Sequence, residues 1–444
     1  MGSGGDPRVC DPDFVLNPRD LRLILSDSLE TRQVLLLSPH FLPSNLAGVH
    51  RVRLMSAQLR SFGWQPTIVT VDPTCYEEPS DATLMNLMPE GVLVERVGAW
   101  PARICRPLGI GDVSLRAQRA LRDRVCTLIE RLHPSLIFAT VLPGYTSLIG
   151  AWAKRRFRIP FVLDYQDPWG TGLDSKKRWN KAWLANRIAR FLEPGVLKQV
   201  DALTAVSDET LDSVRLRNLI PRGIPIESIP IGADENDHAV ARLHGRSLIS
   251  PGAGIFHIAY LGTITHRMLP ALEAFLGALK RMDHKGKRIL LHLLGTFEPD
   301  VVQAAERAGV RENVSVHPRR ISYLDALRTM QDADLLLLIG STDSHYTASK
   351  IFPYWLSEKP ILGIFHRDST IVPLSRELGG VHLALFGRSS GVEACIEQVT
   401  SALRRAVKGE KVVPPRVEAA FEPYSPRGVA ERYARLFDAV AVRR

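Results

Sequence analysis

Two short stretches hold residue types that could grip an anion. "IAYLGTITHR" ends an apolar run at Gly262 and places Thr263 and Arg267 just before a helical pattern. "LLLLIGSTDSHYTASK" does the same further on, with the small residues Thr347, Ala348 and Ser349 followed by Lys350. A helix start presents free backbone N–H groups and the positive end of the helix dipole, which suit a phosphate. Arginine adds a forked donor, and lysine a compact point charge. Either stretch alone is also what a glycine turn or a capped helix beside a solvated cation looks like. Two of them, at different strand ends of one domain, favour a diphosphate site.

The first half of the chain offers a different chemistry. "SPHFLPSNLAGVHR" is a long loop that ends at Gly48, where a ligand could come close to the backbone. Its His40 and His50 read as loop or packing residues rather than catalysts. "VLDYQDPWG" carries Asp164 and Asp167, three positions apart at the end of an apolar run. Carboxylates there could orient sugar hydroxyls or act as a base, and Asp-Pro is equally a turn former; both readings stay open. No Gly-x-Gly-x-x-Gly fingerprint and no P-loop is present, so a dinucleotide oxidoreductase or an NTPase is unsupported.

Between Thr171 and Lys198 lie seven basic residues, Lys176, Lys177, Arg178, Lys181, Arg187, Arg190 and Lys198, against Asp174 and Glu193, with Trp179 and Trp183 among them. Such a helix suits peripheral attachment to a membrane, or a solvated basic helix docked by its tryptophans. The formal charge of +10 favours an anionic partner. No nucleic-acid module is visible, so no nucleic-acid partner is expected.

These residues need elements to position them, and the chain supplies alternating strands and helices. "VLLL", "PTIVTVD", "PSLIFAT", "IPFVLDY" and "VDALTAVS" read as buried strands, and "FHIAYLG", "RILLHLLG", "NVSVHP", "ADLLLLIG" and "KPILGIF" repeat the pattern after a polar gap. Helical spacing separates most of them, which predicts two parallel sheets covered on both faces. The expected layout is an N-terminal extension over 1–30, a Rossmann-like domain over 31–234, a linker over 235–254, a second Rossmann-like domain over 255–420 and a closing helix over 421–444. At 444 residues, 45% apolar and 23% charged, the chain is long enough for two cores. No apolar run reaches the length of a membrane span, and the opening "MGSGGDPRVCDPDF" lacks the pattern of a secretory signal. The five cysteines, Cys10, Cys75, Cys105, Cys126 and Cys395, are scattered. That fits a reduced cytoplasmic setting and argues against a disulfide framework or a zinc site.

The whole arrangement resembles the GT-B glycosyltransferases, most closely the family 4-like group, over about Arg32 to Arg435. Its carriers are "LLLSPHFLPSNLAGVHR", "LDYQDPW", "VDALTAVSDET", "YLGTITHR", "DADLLLLIGSTDSHYTASKIFPYWLSEKPIL" and the C-terminal helix "YSPRGVAERYARLF". The resemblance implies two doubly wound domains facing a cleft, with the last helix crossing back onto the first. It implies a transferase that moves a sugar from a nucleotide sugar, a UDP- or GDP-sugar, to a hydroxyl of a saccharide or lipid-linked acceptor. It further implies retention of the anomeric configuration, no metal and no cofactor beyond the donor. Gly48, Gly262, Thr263, Arg267, Thr347, Ala348, Ser349 and Lys350 would then bind the donor, with His345, Asp167 and Asp164 around the transferred sugar. Thr263 stands where many relatives have an arginine. His345 and Pro353 stand where the family usually has two glutamates, the second holding the ribose. That departure motivates a non-catalytic sugar-nucleotide-binding or scaffold protein as the alternative, with a sugar-nucleotide epimerase behind it.

Overall fold

The apolar run Val34–Leu37 forms the buried part of strand β1 (Arg32–Leu37). Both faces of such a strand are covered, so its sequence shows no alternation, as is usual in the middle of a parallel sheet. The computed structural model describes residues 31–141, 144–169, 181–252, 254–282, 288–342, 349–387 and 391–442. Within them β1 belongs to a seven-stranded sheet with β2 (Trp64–Val71), β3 (Leu93–Val97), β4 (Leu136–Thr140), β5 (Phe161–Tyr165), β6 (Ala202–Ala205) and β7 (Ile226–Ser228). The order is β3-β2-β1-β4-β5-β6-β7, parallel throughout. A second, six-stranded sheet contains β8 (Ile255–Leu261), β9 (Arg288–Leu294), β10 (Val314–His317), β11 (Leu335–Ile339), β12 (Ile361–His366) and β13 (Val381–Phe386). Its order is β10-β9-β8-β11-β12-β13, again parallel. The fold is therefore the expected pair of doubly wound α/β domains.

Three strands escape a reading of the sequence, and all three are sheet edges: β3, β7 and β13. An edge strand has one neighbour and is only partly covered, so "LVERV" and "IES" keep polar residues and lose the apolar signature.

The stretch after Asp234, read as a linker, opens with a helix, Glu235–His244, capped by the Asp234 carboxylate accepting from the Asn236 N–H at 3.0 Å. Its buried face is Asp237, His238 and Ala241, which explains why apolar periodicity does not reveal it. Asp237 receives a two-pronged bond from Arg53, at 2.9 and 2.5 Å, and a third from the Tyr323 hydroxyl at 2.9 Å. Arg53 lies on the first helix (Val49–Gln58), and Tyr323 opens a helix of the second domain (Tyr323–Asp332). One buried carboxylate thus ties both domains to this Glu235–His244 helix, the crossover helix.

The closing helix (Pro426–Ala441) packs back onto the first sheet, with Val429, Tyr433, Leu436 and Phe437 all buried. Tyr433 and Phe437 meet the Phe138 ring edge-on, at 5.4 and 6.0 Å. A buried ring of this size contributes about 1.5–3 kcal/mol through area removed from water. Asp164 sits beneath this helix and accepts from the Tyr433 hydroxyl at 2.9 Å, the Thr204 hydroxyl at 2.8 Å and Arg51 Nε at 3.2 Å. Arg51, fully buried, also donates to the carbonyls of Pro230 and Ile229, at 2.9 and 2.5 Å.

Candidate functional site

Strands β8 and β9 end in the same tripeptide, Leu-Gly-Thr, at Leu261–Thr263 and Leu294–Thr296. Both glycines have left-handed φ angles, +131° at Gly262 and +143° at Gly295, a conformation that side chains strongly resist. Space is short at both, against a movable side chain at Gly262 and against backbone at Gly295. A Cβ on Gly262 would lie 2.2 Å from Lys350 Cε, and one on Gly295 would lie 2.2 Å from the Gly262 carbonyl oxygen. The Gly262 N–H donates to the Leu294 carbonyl at 2.8 Å, and the Gly295 N–H to the His317 carbonyl at 3.1 Å. Three adjacent strand ends therefore form a stepped, bare-backbone ledge. Gly295 and Thr296 were missed at the sequence level, although the repeated Leu-Gly-Thr was a signal that could have found them.

Lys350 reaches over this ledge. Its ammonium donates to the Tyr260 hydroxyl at 3.1 Å and stands 4.9 Å from the centre of that ring. The Tyr260 hydroxyl in turn donates to the Thr263 carbonyl at 2.7 Å. Tyr260 thus fixes both the lysine and the loop that follows β8, a role sequence reasoning did not assign. Burial pulls the Lys350 ammonium down to about 8, because an amine half-hidden from water is less able to hold its charge. Arg267 is joined to the end of β11 through the Thr342 N–H, which donates to the Arg267 carbonyl at 2.9 Å.

The ledge borders a cavity of roughly 1060 Å³ between the two sheets. Gly262, Thr263, Arg267, Gly295, Lys350 and Arg320 line it from the second domain, and Asp167 and Glu209 from the first. A smaller adjoining space of roughly 540 Å³ is lined by Gly48, Ser349 and, again, Asp167. Cations and bare backbone thus face carboxylates across the cleft. The Asp167 side chain is exposed at the rim, and partial desolvation raises its carboxyl above the ordinary value. Gly48 is buried with helical backbone angles, and its carbonyl accepts from Gln166 Nε2 at 3.2 Å.

Asp164 does not reach the cavity. Side chains alternate along β5, and Asp164 shares the face of Val162, under the closing helix, while Asp167 lies beyond the strand end. Its carboxylate is occupied by Arg51, Thr204 and Tyr433, so it secures the fold rather than a sugar. His345, Thr347 and Ala348 lie outside the described residues. Pro353 lines the cavity in the first turn of a short helix, Ile351–Leu356. His50 packs against the Tyr323 ring at 4.2 Å and accepts from Arg53 Nε at 3.2 Å; burial, and then Arg53, holds it well below the ordinary histidine value. His40 pairs with Glu78 at 2.7 Å. Among the described residues no group of three or more His, Cys, Asp or Glu side chains is placed to hold a metal.

Residues 48–232 match the model of the glycosyl transferase 4-like domain. The fold is GT-B. Solved structures share this fold along nearly the whole chain. The GT-B chain is similar to Anabaena HepE in complex with UDP and glucose, at 13% identity and a TM-score of 0.56, covering 92% of this chain and all of that one. It is similar to a Rickettsia africae glycosyltransferase, at 13% identity and a TM-score of 0.54, covering 93% of this chain and all of that one. It is also similar to a UDP-forming trehalose-phosphate synthase from Burkholderia xenovorans, at 12% identity and a TM-score of 0.54, covering 93% of this chain and 99% of that one. No curated protein matches the chain in sequence.

Proposed function

We propose that the protein is a glycosyltransferase that moves a sugar from a nucleoside-diphosphate donor to a hydroxyl acceptor in the cleft between the two domains. The observation that carries this reading is the ledge of Gly262 and Gly295 beneath Lys350 and beside Arg267, in a cavity between the sheets. Bare backbone and the two cations lining one cavity suit a diphosphate, whose charge grows as the glycosidic bond to it breaks. Stabilising that leaving group is then the main electrostatic work. The second domain holds the donor. The first holds the acceptor, with Asp167 within reach of its hydroxyls.

HepE is known with UDP and with UDP-glucose, and the trehalose-phosphate synthase forms UDP, which favours UDP over GDP as the donor nucleotide here. Retention of configuration, with the leaving diphosphate accepting the acceptor proton, is part of the proposal; so is a saccharide or lipid-linked acceptor. The epimerase reading would have to shuttle protons with Asp167 and Glu209, since Asp164 is fully engaged elsewhere.

The test is to incubate the protein with UDP- and GDP-sugars and candidate acceptors, then follow nucleoside-diphosphate release and product stereochemistry by NMR. Release that depends on both an acceptor and Lys350 supports the proposal. Tight nucleotide-sugar binding without turnover on any acceptor would turn the reading to a sugar-nucleotide-binding scaffold.

A further inference from the structure

We propose that the exposed face of the basic helix Lys181–Leu197, together with the end of the helix Asp208–Arg217 beside it, docks on an anionic lipid surface. Leu184, Ile188 and Phe191 are exposed, Phe191 to 83%. Their spacing of four and then three places them on one stripe of the helix. Arg187 and Arg190 are exposed between them, and neither makes an ion pair among the described residues. The opposite face, Ala189, Glu193, Val196 and Leu197, is buried against the first sheet. Packing onto the domain therefore leaves the apolar stripe in water, where no described residue covers it.

A second segment extends this face. Glu193 accepts from Asn218 Nδ2 at 2.9 Å and from the Tyr165 hydroxyl at 2.9 Å, and lies 3.5 Å from Arg217. These bonds draw the end of the neighbouring helix against the basic one, and they also account for the one acid among residues 183–198. That neighbouring end presents Leu216 and Leu219, exposed to 88% and 94%, beside Arg222 and beside Arg215, which pairs with the exposed Asp212 at 3.1 Å.

Apolar side chains that stand in water among cations, with Glu193 of the basic helix turned inward, complement a surface that is anionic outside and apolar beneath. A bilayer containing anionic lipid has that profile. The proposal stands apart from the transferase reading, because vesicle binding needs no turnover.

The test uses the full chain in flotation with phosphatidylcholine vesicles, with and without phosphatidylglycerol, at low and high salt. Binding is expected only to the anionic vesicles and should weaken with salt. Arg187→Ala and Arg190→Ala should each weaken it about fivefold. Leu184→Ser with Phe191→Ser should abolish it at any salt, while Leu243→Ser, on the exposed side of the crossover helix, should change nothing. All the substituted positions face solvent, so thermal melts should match the parent protein. Equal flotation of parent and Leu184→Ser/Phe191→Ser protein, or no flotation of the parent, overturns the proposal. So does self-association of the parent that Phe191→Ser removes, which would make the face a contact between copies.

Discussion

Replacing Lys350 with methionine should push ligand binding and stability in opposite directions. Burial lowers the Lys350 ammonium from 10.5 to about 8, so the folded protein carries a penalty of about 3 kcal/mol for its charge at neutral pH. Methionine keeps an unbranched chain over the Gly262 ledge and removes that charge. The lost contacts with the Tyr260 hydroxyl and ring return about 1–2 kcal/mol of the gain. The ligand-free variant should therefore be more stable by about 1 kcal/mol. The sign with pH follows from a lowered folded-state value. The penalty is complete below about 8 and fades as pH rises toward 10.5, so the advantage of methionine shrinks over that window. Binding should suffer instead. A charge-assisted hydrogen bond to phosphate is worth about 1.5–3 kcal/mol, so the Kd for UDP should rise about 10- to 150-fold. Thermal unfolding of the free protein and calorimetric titration with UDP read the two effects separately. A variant that is less stable than the parent yet binds UDP equally well would refute this account of Lys350.

Other outcomes follow from the same contacts. Gly295→Ala should cost about 1–3 kcal/mol of stability and remove nucleotide binding, because its Cβ meets the Gly262 carbonyl, which has nowhere to go; thermal melts and titration check both. UDP affinity should be level below about pH 8 and fall above it as Lys350 loses its proton, approaching tenfold per pH unit, which titrations from pH 6 to pH 10 would show. Asp237→Ala should destabilise the protein by about 3–5 kcal/mol, since it leaves Arg53 charged and buried at the junction of the domains; thermal melts of the variant and of the Arg53→Leu/Asp237→Ala pair should show the pair partly restored.

The central strands were legible because burial on both faces makes them uninterrupted apolar runs, as in "LLLLI" of β11. The edge strands were not, for the converse reason. The crossover helix was hidden because its buried face is ionic, and an apolar pattern cannot report on Asp237 held by Arg53 and Tyr323. At the site, Gly262, Thr263, Arg267 and Lys350 could be named from strand ends and charge alone, and the structure brings them to one cavity. Tyr260 could not, since its ring reads as core and only its hydroxyl reaches Lys350 and Thr263. Asp164 misled because three positions separate it from Asp167, and only the pleat of β5 decides that the two carboxylates point to different places.

The most direct test of the central claim is calorimetric titration of the parent protein, Lys350→Met and Arg267→Ala with UDP, GDP and their sugar conjugates. The account predicts saturable binding of one nucleotide diphosphate to the parent, weakened at least tenfold in Lys350→Met. Binding that survives both substitutions unchanged, or no binding of any nucleotide to the folded parent, would contradict a diphosphate site on the Gly262–Gly295 ledge.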